Sequence, residues 1–218
     1  MGGRATREAL ILADGSGYDP SMSGLADVIR DARACRWCEA HLPHGPRPVV
    51  RASTGARLLV IGQAPGRRVH ESGIPWDDAS GDRLRDWLGV DRETFYDESR
   101  VAIVPMGLCY PGTVEGADLP PRPECAPLWH PRLLPLLRRV ELTLLVGGYA
   151  QAFHLGADNG PTMTATVLAF RNHLPQRLPL PHPSWRNTGW LTRNPWFRLE
   201  LLPALRERVQ ELFAAPGR

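Results

Sequence analysis

Four short apolar runs, each followed by a loop rich in glycine, proline or polar residues, constrain the fold of this 218-residue chain more than any other feature. They occupy residues 57–61, 101–104, 142–146 and, more weakly, 177–180. Continuous apolar runs of this length predict buried strands. Helix-like stretches separate or flank them, at residues 23–34, 81–88, 126–138, 149–155, 163–172 and 199–213. Because strands that alternate with helices need crossover connections, we predict a three-layer α/β/α fold with a central, mainly parallel four-stranded sheet.

The composition fits one globular domain over residues 1–218, since 43% of the residues are hydrophobic and 22% are charged. We expect residues 1–20 to form a less ordered segment. No run of eighteen apolar residues occurs, and the start lacks a basic stretch followed by an apolar block. We therefore expect a cytoplasmic monomer with no membrane contact.

All 26 basic residues are arginine, yet the formal net charge is only +3. Arginine can contact phosphate in a bidentate manner, which favours a nucleic-acid partner. A GC-rich genome also replaces lysine with arginine throughout. Charge alone therefore does not identify DNA binding.

The loop after the first strand carries an aromatic residue in an unusual setting. Residues 62–66 read GQAPG, in which glycines permit close approach of a ligand to the backbone and a proline fixes the turn. Trp76 follows within GIPWDD, where a stiff backbone would present its ring as a stacking platform for a flipped nucleobase. Packing in the core is the alternative interpretation of Trp76.

The loop after the fourth strand reads PHPSWRN and places His182 between two prolines. A single histidine is usually structural. Here it is followed by side chains that can bind phosphate, stack or enter a duplex, namely Ser184, Trp185, Arg186 and Asn187. This set favours DNA as the ligand.

Together GQAPG, GIPWDD and HPS resemble the two signature loops of the uracil-DNA glycosylase superfamily, and most closely its iron–sulfur, family 4-like branch. The resemblance covers about residues 35–206. Trp76 falls on the branch's uracil-stacking Phe and Gln63 on its Glu. The resemblance implies a base-excision repair enzyme that hydrolyses the N-glycosidic bond of uracil, or of a related damaged base, flipped out of DNA. A glycosylase for another deaminated base and a DNA-binding relative with little or no activity are the alternatives.

The cysteines follow the same branch. Cys35 and Cys38 form a C-x2-C pair, and fifteen residues separate Cys109 from Cys125. The resemblance implies that these four thiolates hold a [4Fe–4S] cluster with a structural role. Zinc could use the same ligands, and unligated cysteines are the third possibility.

The resemblance also implies roles in catalysis. His182 would stabilise the departing base, which Gln63, Ala64, Trp76 and Met106 would contact. The branch's base-reading Asn is replaced by Pro105, so discrimination would come from Gln63 or from backbone groups near Met106 and Gly107.

The branch's carboxylates after the first loop are also replaced here. We therefore expect His70, then Asp77 and Asp78, to activate water or, for His70, to bond covalently to the sugar. In the alternative interpretation His70 contacts phosphate and the two aspartates cap a helix that starts near Gly81.

Overall fold

The computed structural model describes residues 24–214, so the expectation for residues 1–20 lies outside the described part of the chain. Within that part lie six strands: β1 (Leu58–Ile61), β2 (Val101–Ile103), β3 (Thr113–Val114), β4 (Ala117–Asp118), β5 (Leu142–Val146) and β6 (Arg177–Leu180). The α-helices described there are α1 (Leu25–Arg33), α2 (Arg67–Ser72), α3 (Ala79–Leu88), α4 (Arg92–Tyr96), α5 (Cys125–Leu133), α6 (Gly148–Leu155), α7 (Met163–Leu168), α8 (Thr188–Arg193) and α9 (Leu202–Ala214). No helix among the described residues is both long and apolar enough to cross a bilayer.

The four predicted strands form one parallel sheet in the order β2-β1-β5-β6, which confirms the predicted fold. In the centre of the sheet, Val60 of β1 pairs with Ile103 on one side and Leu144 on the other. The strands β3 and β4 form a separate antiparallel hairpin.

Side chains alternate between the two faces of the sheet and create two cores. Leu58 and Val60 pack against the layer that contains α3 and α9, whereas Leu59 and Ile61 pack against the layer of α1, α5 and α6. All four residues are at most 3% exposed. A parallel sheet covered on both faces accounts for the continuous apolar runs in the sequence.

Two predicted helices are interrupted where proline removes a backbone donor. The stretch 199–213 begins as a wider π-helical segment, Phe197–Leu201, before α9, and Pro203 occupies the first turn of α9. The stretch 126–138 divides into α5 and a 3₁₀ turn, Leu134–Leu136, which contains Pro135. Three helices were not predicted, α2, α4 and α8, because five or six residues are too few to show a helical period.

The carboxyl ends of the parallel strands meet at one edge of the sheet. The segments that leave β1, β5 and β6 there begin at Gly62, Gly147 and Pro181. This edge is where ligands bind in open parallel sheets.

Candidate active site

A cavity of about 490 Å³ lies at this edge, within the size range of small-ligand sites. Its walls come from the segment after β1, the β3–β4 hairpin and the segment after β6. Most of the predicted site residues line it: Gln63, Ala64, Trp76, His182, Ser184, Trp185, Arg186 and Asn187. The cavity therefore brings together the two loops that the sequence singled out.

Two glycines lie close to Trp76, Gly62 against its ring and Gly81 against its backbone. The Trp76 backbone has a φ of 58°, a left-handed conformation that is rare for a bulky residue. A Cβ at Gly62 would lie 2.6 Å from Cζ2 of the indole, and a Cβ at Gly81 would lie 1.7 Å from the Trp76 carbonyl oxygen. Arg85 donates to the same oxygen through Nη1 at 3.2 Å. Neither glycine can therefore carry a side chain without moving Trp76.

His182 lies beside Trp76 in the cavity wall, with its ring stacked on the indole. The two ring centroids are 5.6 Å apart with planes inclined by 29°. Asn187 donates from Nδ2 to the His182 carbonyl oxygen at 2.7 Å, which closes the loop behind the histidine. Burial lowers the pKa of His182, against the opposing effect of the Asp78 carboxylate. The imidazole is therefore neutral at neutral pH and can donate one ring proton.

Residues 50–206, more than two thirds of the chain, match the uracil DNA glycosylase superfamily. The chain belongs to this superfamily. The matched region includes both loops of the cavity, but Cys35 and Cys38 precede it. The match identifies the superfamily and not a branch within it.

The residues that follow His182 form one part of the cavity wall. Trp185 is 74% exposed, and the Arg186 guanidinium lies 5.5 Å from the centroid of its ring. Arg83 of α3 donates to the Ser184 carbonyl oxygen at 3.0 Å and so ties this loop to the helix that follows Trp76. An exposed aromatic ring beside a cation suits contact with a DNA strand.

The position of the replaced Asn is occupied by backbone that already has partners. The Pro105 ring lines the cavity, and its carbonyl oxygen lies 3.1 Å from Nε2 of the buried His130. The N–H of Met106 donates to the Gly62 carbonyl at 2.9 Å, and the N–H of Gly107 donates to the Gln63 carbonyl at 2.9 Å. These two amides cannot also read a base. Met106 itself is buried and contacts the neighbouring apolar groove instead of this cavity.

The residues expected to activate water lie in different places in the structure. His70 belongs to α2 and lies against the rings of His44 and Tyr110, at centroid distances of 6.0 and 5.7 Å. Burial, chiefly, lowers the pKa of His70. Asp77 accepts from Arg92 at 2.9 Å. Neither His70 nor Asp77 is among the described residues that line the cavity.

Asp78 does line the cavity, and it also caps α3 by accepting from the N–H of Gly81 at 2.8 Å. The helix-capping interpretation is therefore confirmed for Asp78 and is wrong for Asp77, whose carboxylate pairs with a side chain instead. A second carboxylate in the cavity, Asp118, was not predicted. It lies in a proline-rich segment whose two-residue strands are too short to show a period.

All four cysteines line one small cavity, separate from the one that contains Trp76 and His182. The N–H of Leu108 donates to Sγ of Cys125 at 3.2 Å. Burial raises the pKa of Cys109 to about 11 and that of Cys125 to about 12, so both are protonated thiols at neutral pH when no metal is bound. A bound metal would deprotonate them.

Among the described residues no cluster of three or more His, Cys, Asp or Glu side chains is spaced to hold a metal ion. A four-iron cluster is larger than one ion and holds its thiolates further apart. Four thiols around one cavity, with a backbone N–H directed at a sulfur, fit such a group in donor type and number.

Proposed function

We propose that this protein is a DNA glycosylase that hydrolyses the N-glycosidic bond of uracil, or of a related deaminated base, flipped out of DNA. The observation that carries the proposal is the facing pair of Trp76 and His182 rings in the cavity of a superfamily member. Base excision, DNA as the partner and action as a monomer all belong to this proposal.

At the base, the two rings have complementary tasks. The Trp76 indole stacks on the flipped base, which is worth about 1–3 kcal/mol and offsets much of the cost of unstacking it. The neutral His182 donates a hydrogen bond to the base oxygen that gains negative charge as the bond breaks. A donor fixed in a dry site stabilises that charge more than water does.

Recognition of the base edge falls to Gln63. Its Nε2 donates to the Leu119 carbonyl over a long 3.4 Å, so a base can displace this weak contact and use the amide instead. Because Pro105 supplies no side-chain amide, the preference for uracil over other deaminated bases is expected to be smaller than in enzymes that have one there. Ala64 and Trp76 would set the width of the pocket.

The DNA strand would be held by the loop after His182. Ser184, Arg186 and Asn187 would contact the flanking phosphates, and Trp185 would fill the gap that the base leaves. Phosphates held beside the sugar also stabilise the positive charge that develops there.

We further propose that Cys35, Cys38, Cys109 and Cys125 hold a [4Fe–4S] cluster. When bound, the cluster would supply structure by joining the hairpin segment to the chain before β1. Anaerobically purified protein should be brown and contain four iron atoms per chain, and Cys125→Ser should lose both properties. A colourless protein that contains one zinc ion would contradict the cluster.

The test of the activity is release of free base from oligonucleotides that carry a single uracil, hypoxanthine or xanthine. His182→Ala should reduce single-turnover release at least tenfold without changing the melting temperature by more than a few degrees. His173→Ala, which removes an imidazole from the segment before β6, is the matched control and should release base at the wild-type rate. No release from any of these substrates, together with salt-sensitive DNA binding that His182→Ala leaves intact, would contradict the glycosylase and support a DNA-binding protein.

A further inference from the structure

The β3–β4 hairpin is attached to both loops that build the cavity. Arg186 donates from Nη2 to the Gly116 carbonyl oxygen at 2.6 Å, and Gln63 donates to the Leu119 carbonyl oxygen at 3.4 Å. Asp118 lies between these two anchor points, where its backbone pairs with Thr113 across the hairpin. The Arg186 contact and the pairing within the hairpin therefore hold Asp118 beside the loop that follows β6.

The Asp118 side chain lines the same cavity as Trp76 and His182. It is exposed, whereas His182 is half-buried. A Cβ at Gly66, the residue before α2, would lie 3.5 Å from Oδ2 of Asp118, and Arg186 approaches from the opposite loop. A base that stacks on Trp76 would therefore share its cavity with this carboxylate.

We propose that Asp118 is the general base that takes a proton from the attacking water, an inference that rests on the proposed glycosylase function. The water oxygen bonds to the anomeric carbon of the sugar, and the bond from that carbon to the base breaks with its electron pair going to the base. The proton that water loses goes to the Asp118 carboxylate. The departing base, stabilised by His182, is protonated from solvent, so that the products are free base and an abasic sugar.

Two observations favour Asp118 over Asp78, the other carboxylate in the cavity. Asp78 is committed to the N–H of Gly81, whereas the Asp118 side chain accepts no hydrogen bond from residues 24–214, so both of its oxygens are available to water. Partial desolvation by the surrounding protein raises the pKa of the Asp118 carboxyl; the Arg186 charge opposes this effect, and the Asp78 charge adds to it. A higher pKa makes a carboxylate a stronger proton acceptor while it stays ionised at neutral pH.

The experiment compares single-turnover base release by the wild-type protein and Asp118→Asn across pH 4 to 9. The probe is a single-stranded oligonucleotide with one uracil. Loss of a general base is expected to lower the rate about 10²-fold or more at pH 8. The ratio of wild-type to variant rate should shrink as the pH falls through the raised pKa of Asp118, because the wild-type base is then protonated too. Titration of His182 affects both proteins and cancels in the ratio.

The matched control is Glu115→Gln, which removes a carboxylate from the same hairpin outside the cavity and should release base at the wild-type rate. A ratio below threefold at every pH, a deficit that is constant with pH, or an equal deficit in Glu115→Gln would each overturn the role of Asp118. So would a pH-dependent loss found in Asp78→Asn alone. If Asp118→Asn fails to fold, Asp118→Ser replaces it: a pH-dependent loss of release supports the role, and release at the wild-type rate overturns it.

This experiment distinguishes the proposed role of Asp118 from the proposed glycosylase activity. Normal release by Asp118→Asn, with slow release by His182→Ala, overturns the role of Asp118 and leaves the glycosylase in place. A wild-type protein that releases no base overturns both.

Discussion

The substitution Gly62→Ala tests whether the position of the Trp76 ring sets the rate of base release. Gly62 follows β1 directly, and an added Cβ would lie 2.6 Å from Cζ2 of the indole. To reach the shortest ordinary contact, the ring must retreat to at least 3.4 Å. The Gly62 backbone itself is compatible with alanine, because its φ is not in the left-handed region. The substitution therefore acts through the ring.

Trp76 cannot retreat freely, because its carbonyl oxygen is held by Arg85 and packs against Gly81. The displacement approaches 1 Å, and misplacing a positioning group by 1 Å costs about 10²-fold in rate. Overpacking of this kind also costs about 1–3 kcal/mol in the free energy of unfolding. We expect Gly62→Ala to slow single-turnover release of uracil 10- to 100-fold and to lower the melting temperature.

The control is the double variant Gly62→Ala/Trp76→Phe. The clashing Cζ2 atom belongs to the part of the indole that phenylalanine lacks, so the smaller ring relieves the clash. The double variant should release base faster than Gly62→Ala alone, as a non-additive pair in a double-mutant cycle. Wild-type release by Gly62→Ala, or equal impairment of the single and double variants, would refute the assigned role of the ring.

Three further substitutions test other parts of the molecule. Gly81→Ala places a Cβ 1.7 Å from the Trp76 carbonyl oxygen and should lower the free energy of unfolding, measured by urea titration, by about 3 kcal/mol. Gly189→Ala in α8, with open space around it, is the control and should cost nothing. Similar losses at both sites would contradict the packing. Burial lowers the pKa of His154 in α6 to about 4, below its unfolded value of about 6.5. The free energy of unfolding should therefore fall as the pH drops from 6.5 to 4, by at most about 1.4 kcal/mol per pH unit. An unchanged slope in His154→Gln would count against this origin. Arg186→Ala should weaken DNA binding and reduce the salt dependence of log K by about 1, and an unchanged salt slope in fluorescence anisotropy would exclude a phosphate contact.

The sheet was predictable because each central strand is buried on both faces. Residues 142–146 form β5 with the bounds that the apolar run predicted, and Val60 has apolar partners on both sides. Helices of nine or more residues were also predicted, with errors where Pro135 and Pro203 interrupt the hydrogen-bonding pattern. The spacing of apolar residues along the chain decides which faces are buried, so a single sequence suffices to predict the strands and the longer helices.

The site was only partly predictable, because which side chains face a cavity depends on the turns between elements. Trp76 and His182 were found from the signature loops that contain them. His70 falls in a short helix, α2, whose rotation places Val69 at the cavity and His70 beside Tyr110. Asp118 reaches the cavity through a hairpin whose strands are two residues long, and nothing in its neighbours along the chain indicates that pairing.

The left-handed backbone of Trp76 has a consequence for the order of events on DNA. A conformation of this kind costs on the order of 1–3 kcal/mol and persists only where the surrounding structure enforces it. Gly62, Gly81 and Arg85 enforce it in the DNA-free protein. The backbone of Trp76 is therefore already in this conformation before DNA binds, and a base that stacks on the indole would not require Trp76 to rearrange. Capture of the base would then be limited by how fast the duplex opens, and the protein would act as a rigid acceptor of a spontaneous fluctuation in DNA.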